Sequence, residues 1–233
     1  MKKNILLFII VLFSSTSFSQ GIRMGLTASP QLSWMSSDAS TISSEGTHLG
    51  FNFGLMTDFF FAERYSFSTG LMINNTGGNL KYNDSLLFKT NDKTYNLAPG
   101  ALIEYKIQYI DIPVSFRMES NQIGYFVYYA QFGITNQFRV GASADIDGVK
   151  NTTNGSVGET VSLSGAGCKD EINLFNMGYN IGAGGNYYFS KNTAITFGIL
   201  YTNGFLDVTS NSDKQIKDNV SLKSIILKVG VLF

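Results

Sequence analysis

Residues 109 to 119, "YIDIPVSFRME", alternate without a break: Ile110, Ile112, Val114, Phe116 and Met118 on one side, Tyr109, Asp111, Pro113, Ser115, Arg117 and Glu119 on the other. Successive side chains of a β-strand point to opposite faces, so this segment has one apolar face and one polar, charged face. The pattern recurs, each time over a length close to the roughly 9 to 11 residues a tilted strand needs to cross a bilayer. Eight such strands are predicted. The first runs from Ile22 to Trp34, the second from Leu49 to Phe61, the third from Tyr65 through Phe67 and Leu71 to Ile73, and the fourth is the stretch just quoted. The fifth aligns Phe126, Tyr128, Ala130, Phe132 and Ile134; the sixth sets Met177, Tyr179, Ile181, Ala183 and Tyr187 against Gly178, Asn180, Gly182, Gly184 and Asn186. The seventh carries Ile195, Phe197, Ile199 and Tyr201, and the eighth Ile225, Leu227, Val229, Val231 and Phe233.

Alternation alone does not say which face meets water. A soluble sandwich buries the apolar face inside, whereas a membrane barrel turns it to lipid around a polar lumen. The connections decide, because they alternate short and long. Short ones are Ala62 to Arg64, Glu119 to Gly124 and Phe189 to Asn192; long ones cover roughly 36 to 47, 75 to 103, 140 to 173 and 203 to 221. Outer-membrane barrels have tight periplasmic turns and long external loops. Phe59, Phe60, Phe61, Tyr65, Tyr187, Tyr188 and Phe189 gather beside the short turns, as an interfacial girdle requires, with Trp34 and Tyr201 at the opposite strand ends. The expected fold is therefore all-β: an eight-stranded antiparallel up-and-down transmembrane β-barrel.

The amino terminus agrees. Lys2 and Lys3 precede an apolar run from Ile5 to Phe13 and the small-x-small Ser17-Phe18-Ser19, so residues 1–19 read as a secretory signal peptide and 20–233 as the barrel domain. No cysteine stands at the junction, against a lipoprotein anchor, and the single Cys168 cannot form an internal disulfide. Zero net charge and the lack of a basic stripe argue against nucleic acid as a partner. After the signal no run of about 18 apolar residues occurs, so strands must do any crossing.

In this frame Ile110, Ile112, Val114, Phe116 and Met118 face lipid, and Arg23, Asp58, Asp111, Ser115, Arg117, Glu119 and Lys228 face the lumen. An eight-stranded barrel is just wide enough for side chains to fill, so these charges should pair and leave no wide pore. Pro30 and Pro113 donate no ladder hydrogen bond, and a bulge or kink is expected at each. Asn154-Gly155 between β-formers predicts a two-residue hairpin turn, with the third long segment standing partly as a hairpin above the membrane.

These strands also carry a resemblance. "YIDIPVSFR", "GIRMGLTAS" and "GYNIGAGGNYYFSKNTAITFGILYTNGF" resemble strands of the PorT-like outer-membrane β-barrel family of Bacteroidetes. The resemblance implies an outer-membrane barrel exported by a cleaved signal, and a link to type IX protein secretion. Its motifs are structural and imply no catalytic residues. Implied partners are outer-membrane lipids, the barrel-assembly machinery and other envelope or secretion proteins.

Candidate chemistry is sparse. His48, near Ser43, Ser44 and Glu45, invites a Ser-His-acid reading, but no nucleophile motif accompanies it and an ordinary loop histidine is expected. "DIDG", Asp145 to Gly148, shares two carboxylates and a glycine with calcium loops, yet the remaining ligands are misplaced, and a turn is expected. Cys168 is expected to be a surface thiol. The alternating glycines of "GYNIGAGG" precede no helix; they are expected to make room inside a narrow barrel rather than to hold phosphate. No catalytic, cofactor-binding or metal site is assigned. The expected role is non-enzymatic, structural or accessory; a barrel enzyme acting on lipid or peptide and a soluble lipocalin-like carrier stay as alternatives.

Overall fold

The computed structural model describes residues 21–151, 158–210 and 219–233. Among these residues the strands are β1 (Ile22–Ser37), β2 (Ile42–Ser44), β3 (His48–Ala62), β4 (Tyr65–Tyr82), β5 (Leu86–Lys89) and β6 (Thr94–Leu97), then β7 (Ala101–Glu119), β8 (Phe126–Val149), β9 (Thr160–Gly167), β10 (Phe175–Tyr188), β11 (Ala194–Gly204) and β12 (Val220–Leu232). A single 3₁₀ turn, Lys169–Glu171, lies between β9 and β10. Eight strands, β1, β3, β4, β7, β8, β10, β11 and β12, form an antiparallel ring in which each pairs with its neighbours in chain order. β12 closes on β1, and Met24 and Phe233 exchange backbone hydrogen bonds of 3.1 and 2.8 Å at the seam. All eight sequence-predicted strands lie within this ring, and the proposed signal peptide lies outside the described residues.

The apolar faces point outward. Val114 is 44% exposed and Ile199 61%, while Asp111, Ser115 and Arg117 are buried inside. That orientation overturns the lipocalin-like alternative, which needs the aliphatic face within. It leaves a broad apolar band around the ring, the surface a bilayer covers.

The strands do not stop at the band. β8 has 24 residues, β7 19 and β4 18, about twice what a crossing needs. Their far ends, with β2, β9 and the β5–β6 hairpin, form a cap around a second core that includes Leu80, Tyr82, Phe88, Leu97, Ile103, Tyr105, Ile146, Cys168 and Val220. The segments 75–103 and 140–173 are therefore largely sheet, a correction to their reading as loops. β8 and β9 pair as the expected hairpin, and the turn expected at Asn154-Gly155 falls outside the described residues.

β7 shows how one strand serves both zones. Odd-numbered residues point inward throughout: Ile103, Tyr105, Ile107 and Tyr109 in the cap, then Asp111, Ser115 and Arg117 in the lumen. Even-numbered residues are Glu104, Lys106 and Gln108 above, then Ile110, Ile112 and Val114. Backbone geometry is unbroken while the polarity of the two faces exchanges between Gln108 and Ile110.

β8 solves the same problem differently. Gln108 pairs with Gly141 and Tyr109 with Arg139, leaving Val140 as an extra residue. This bulge shifts the phase, so that Ala142, Ala144 and Ile146 turn inward although Phe132, Phe138 and Val140, of the same parity, face out. A second bulge in β9 sits opposite Asp145, where Gly165 takes φ +66°, a left-handed conformation that favours glycine.

The proline expectation is corrected. No register shift, and so no bulge, occurs at Pro30 or Pro113: pairing runs through both on one side, toward β3 and β8, and lapses on the other, toward β12 at 28–30 and toward β4 at 112–113. Side chains take up backbone groups where the ladder lapses: Ser29 Oγ accepts from the Val229 N–H at 3.3 Å, and Thr69 donates to the Pro113 carbonyl at 2.8 Å.

Candidate functional site

The polar groups converge in the lumen. At the short-turn end, Arg23 donates to Asp58 Oδ2 at 2.7 Å and also to Glu119. Arg117 Nε donates to Glu119 at 3.1 Å, Nη2 to Asn186 Oδ1 at 3.1 Å, and its Nη1 lies 3.8 Å from Asp58. Two guanidiniums and two carboxylates, drawn from β1, β3 and β7, thus close as a neutral quartet. The pairing expected for Arg23, Asp58, Arg117 and Glu119 is observed.

Aromatic rings lock the quartet. The Arg117 guanidinium lies 3.7 Å from the centre of the Tyr129 ring, and that of Arg23 lies 4.8 Å from the Phe60 ring while also donating to Tyr188 at 2.9 Å. Phe60 and Tyr188 therefore belong to the lumen, correcting their place in the girdle. The outer girdle keeps Phe61, Tyr65 and Tyr187: Phe61 packs on Tyr65, Phe67 and Phe116, and Tyr187 on Tyr125 and Phe126. A Cβ on Gly184 or Gly198 would stand 2.6 or 2.5 Å from the Tyr129 hydroxyl. The "GYNIGAGG" face thus makes room for Tyr129.

Above the quartet lies a cavity of about 50 Å³, lined by Thr27, Ser29, Asn52, Ser68, Ser115, Gln131, Thr135, Asn180, Lys228 and Asp111 among others. Lys228 is buried without a carboxylate in contact; its ammonium reaches Gln131 Oε1 at 3.4 Å and stands 5.7 Å from the Tyr129 ring. Asp111 is buried on neutral donors, Asn74 at 2.7 Å and Gln137 at 3.0 and 3.1 Å. The expectation that every lumen charge pairs therefore fails for these two.

The cap closes the other end. Its apolar interior holds a buried hydroxyl pair, Tyr82 and Tyr105, whose oxygens are 2.8 Å apart. Burial first, and the Tyr82 hydroxyl second, push the Tyr105 pKa well above its ordinary value. Outside, Asp145 takes Lys106 at 2.6 Å, the Gly165 N–H at 2.8 Å and the Ser164 hydroxyl at 3.3 Å. These bonds, the Lys106 one foremost, hold the Asp145 carboxyl below the usual range.

The motifs singled out in the sequence resolve into structural roles. His48 opens β3 and its Nδ1 lies 3.2 Å from Glu104 on β7, a partner the sequence did not signal, while Ser43 accepts from Asn83. "DIDG" is extended strand within β8, not a turn, with Ile146 in the core and Asp145 held by a lysine. Cys168 is fully buried in the cap, not at the surface, because the chain folds back at the 3₁₀ turn against β8. The sequence did not signal the tyrosine pair at all; only the inverted phase of β4 and β7 above the band could have revealed it.

A family model described as the outer membrane protein beta-barrel domain matches residues 13–210. No curated protein matches the chain. Among solved structures it is similar to the Neisserial surface protein A, at 14% identity and TM-score 0.47 over 91% of this chain and 98% of that one. It is also similar to Ail, the attachment invasion locus protein of Yersinia pestis, at 13% identity and TM-score 0.38 over 92% and 100%. OprG from Pseudomonas aeruginosa shows 12% identity and TM-score 0.36 over 91% and 94%.

Proposed function

We propose, from the premise that the chain belongs to the outer membrane protein β-barrel family, that it is a closed, non-enzymatic barrel acting through its external cap as an accessory protein of the cell envelope. The observation that carries this reading is the double closure of the lumen. The Arg23–Asp58–Arg117–Glu119 quartet fills the periplasmic end and an apolar core fills the outer end. A conduit for solutes needs an open polar path, and both ends are packed with side chains. What the protein offers its surroundings is instead the cap.

In this reading residues 1–19 are removed on export and 20–233 form the barrel. Phe233 is 54% exposed on the lipid face beside Val231 and Val229, an arrangement suited to recognition by the assembly machinery. Outer-membrane lipids cover the apolar band. The strands that resemble the PorT-like family of Bacteroidetes support a role beside the type IX secretion machinery, with the cap or the short turns as the contact.

Three measurements test the reading. A protease tag inserted near Asn154 is cleaved on whole cells, and one near Lys191 is protected; the reverse pattern overturns the topology. In liposomes the purified barrel admits no small sugar, and swelling at rates typical of porins would overturn the closed lumen. Deleting the gene should alter the set of secreted proteins, and an unchanged set removes the secretion link.

A further inference from the structure

Charge accounting in the lumen leaves two groups over. Arg23, Arg117, Asp58 and Glu119 balance one another in charge. Lys228 and Asp111 remain, of opposite sign, both buried, and both on the wall of the same cavity. The Asp111 carboxylate accepts from the amides of Asn74 and Gln137. Lys228 has three N–H donors and one acceptor in reach, the Gln131 oxygen at 3.4 Å.

An ion removed from water into a barrel interior costs several kcal/mol unless something replaces its hydration. For Lys228 the wall offers the Gln131 oxygen alone. The hydroxyl of Thr27, also on the wall, is buried without a partner among the described residues. At ~10–15 Å³ per water molecule, a cavity of about 50 Å³ has room for roughly three to five. Ser29, Asn180 and Thr135 put further hydroxyl and amide groups on the same wall, and a buried water needs two to four polar partners.

We propose that this cavity is a sealed solvent site in which ordered water joins the Lys228 ammonium to the Asp111 carboxylate. A monovalent anion beside Lys228 answers the same unmet donors, but it leaves the lumen with one negative charge in excess. Three cations face three carboxylates there, so water keeps the balance and an added ion breaks it. The quartet below and the cap above isolate the water from both aqueous phases.

The test uses the full mature chain refolded in detergent micelles. Isotope-edited spectra should show cross-peaks between long-lived water and the side-chain amides of Asn180 and Gln131. Their absence overturns the proposal, and so does an anomalous bromide peak beside Lys228 Nζ in a crystal soaked with bromide. The coupling is read from unfolding equilibria of Lys228→Met, Asp111→Asn and the double variant. Each single change should lower the folding constant, and the double should lose about tenfold less than the product of the two. Strict additivity would overturn the joining of the two charges. Should a single variant not refold, the water cross-peaks of the unaltered protein still decide.

Discussion

The barrel and its cap are built from the same strands with opposite polarity. Along β7, inward positions are Asp111, Ser115 and Arg117 in the membrane zone and Ile103, Tyr105 and Ile107 in the cap. The period of two is identical in both; only the medium outside differs. Lipid solvates the apolar face below and leaves the polar one inside, while water does the reverse above. The comparison teaches that alternation specifies a strand and its two faces, and that the surrounding medium decides which face becomes the core.

The largest expected effect comes from breaking the polar interior of the membrane zone. Removing one partner of a buried ion pair costs roughly 3–5 kcal/mol, because the other charge is left unpaired. Arg117→Met strips Glu119 of one donor, leaves Arg23 as the one guanidinium beside Asp58 and takes the guanidinium off the Tyr129 ring. The midpoint of urea unfolding, followed by heat-modifiable migration on gels, should fall accordingly. A midpoint within error of the unaltered protein would show that the quartet does not hold the barrel.

Next in size is a pair of changes on one strand that sharpens the contrast directly. Val114→Lys places a charge on the lipid face, at roughly 2–4 kcal/mol near mid-membrane. Gln108→Lys, six positions up on the same face, meets water, since Gln108 bonds Asn75 at an exposed site. Assembled protein in membranes should drop sharply for the first and stay level for the second. Equal losses would mean that the band extends over the cap.

Much of this was legible in the sequence. Eight strands, their lipid faces, the short turns and the inward placement of Arg23, Asp58, Arg117 and Glu119 all follow from alternation and loop length. What alternation hid is the change of phase. Tyr109 and Ile110 stand side by side as the last cap residue and the first lipid residue, and a reader holding one phase stops the strand there. The Val140 bulge hides the same change in β8, with only the adjoining Gly141 to mark it. Partners were illegible for another reason: Arg23 and Glu119 are 96 residues apart and meet only through the ring's register. Glu104 meets His48 in the same way.

A smaller effect separates the two interiors by pH. The cap core holds the Tyr82–Tyr105 hydroxyl pair, and burial favours the neutral phenol of Tyr105 over its ordinary titration near 10. A raised folded pKa means that the contribution is fully present below about pH 10 and is lost as pH climbs through the folded value. Alkali should therefore open the cap, whose hydroxyl pair lies in an apolar core, before it opens the lumen. Amide exchange measured on β7 at rising pH should accelerate at Ile103 before it does at Ser115. Simultaneous acceleration would mean that cap and barrel unfold as one unit.

The smallest effect comes from the ion pair on the cap's outer surface, and its size relative to the quartet tests why the two zones differ. Lys106 and Asp145 approach to 2.6 Å, closer than several contacts within the quartet, yet Lys106 is 40% exposed at its side chain. Water screens such a pair, and exposed pairs contribute about 0.2–1 kcal/mol, decreasing with added salt. Lys106→Gln should thus shift the cap's stability by less than about 1 kcal/mol, and 1 M salt should remove the difference between variant and parent. Asp145 keeps the Gly165 N–H and the Ser164 hydroxyl in the variant, so the β9 bulge stays formed. An effect as large as that of Arg117→Met would show that proximity, rather than the medium, sets the strength of these pairs. The contrast between the two zones would then have to rest on packing alone.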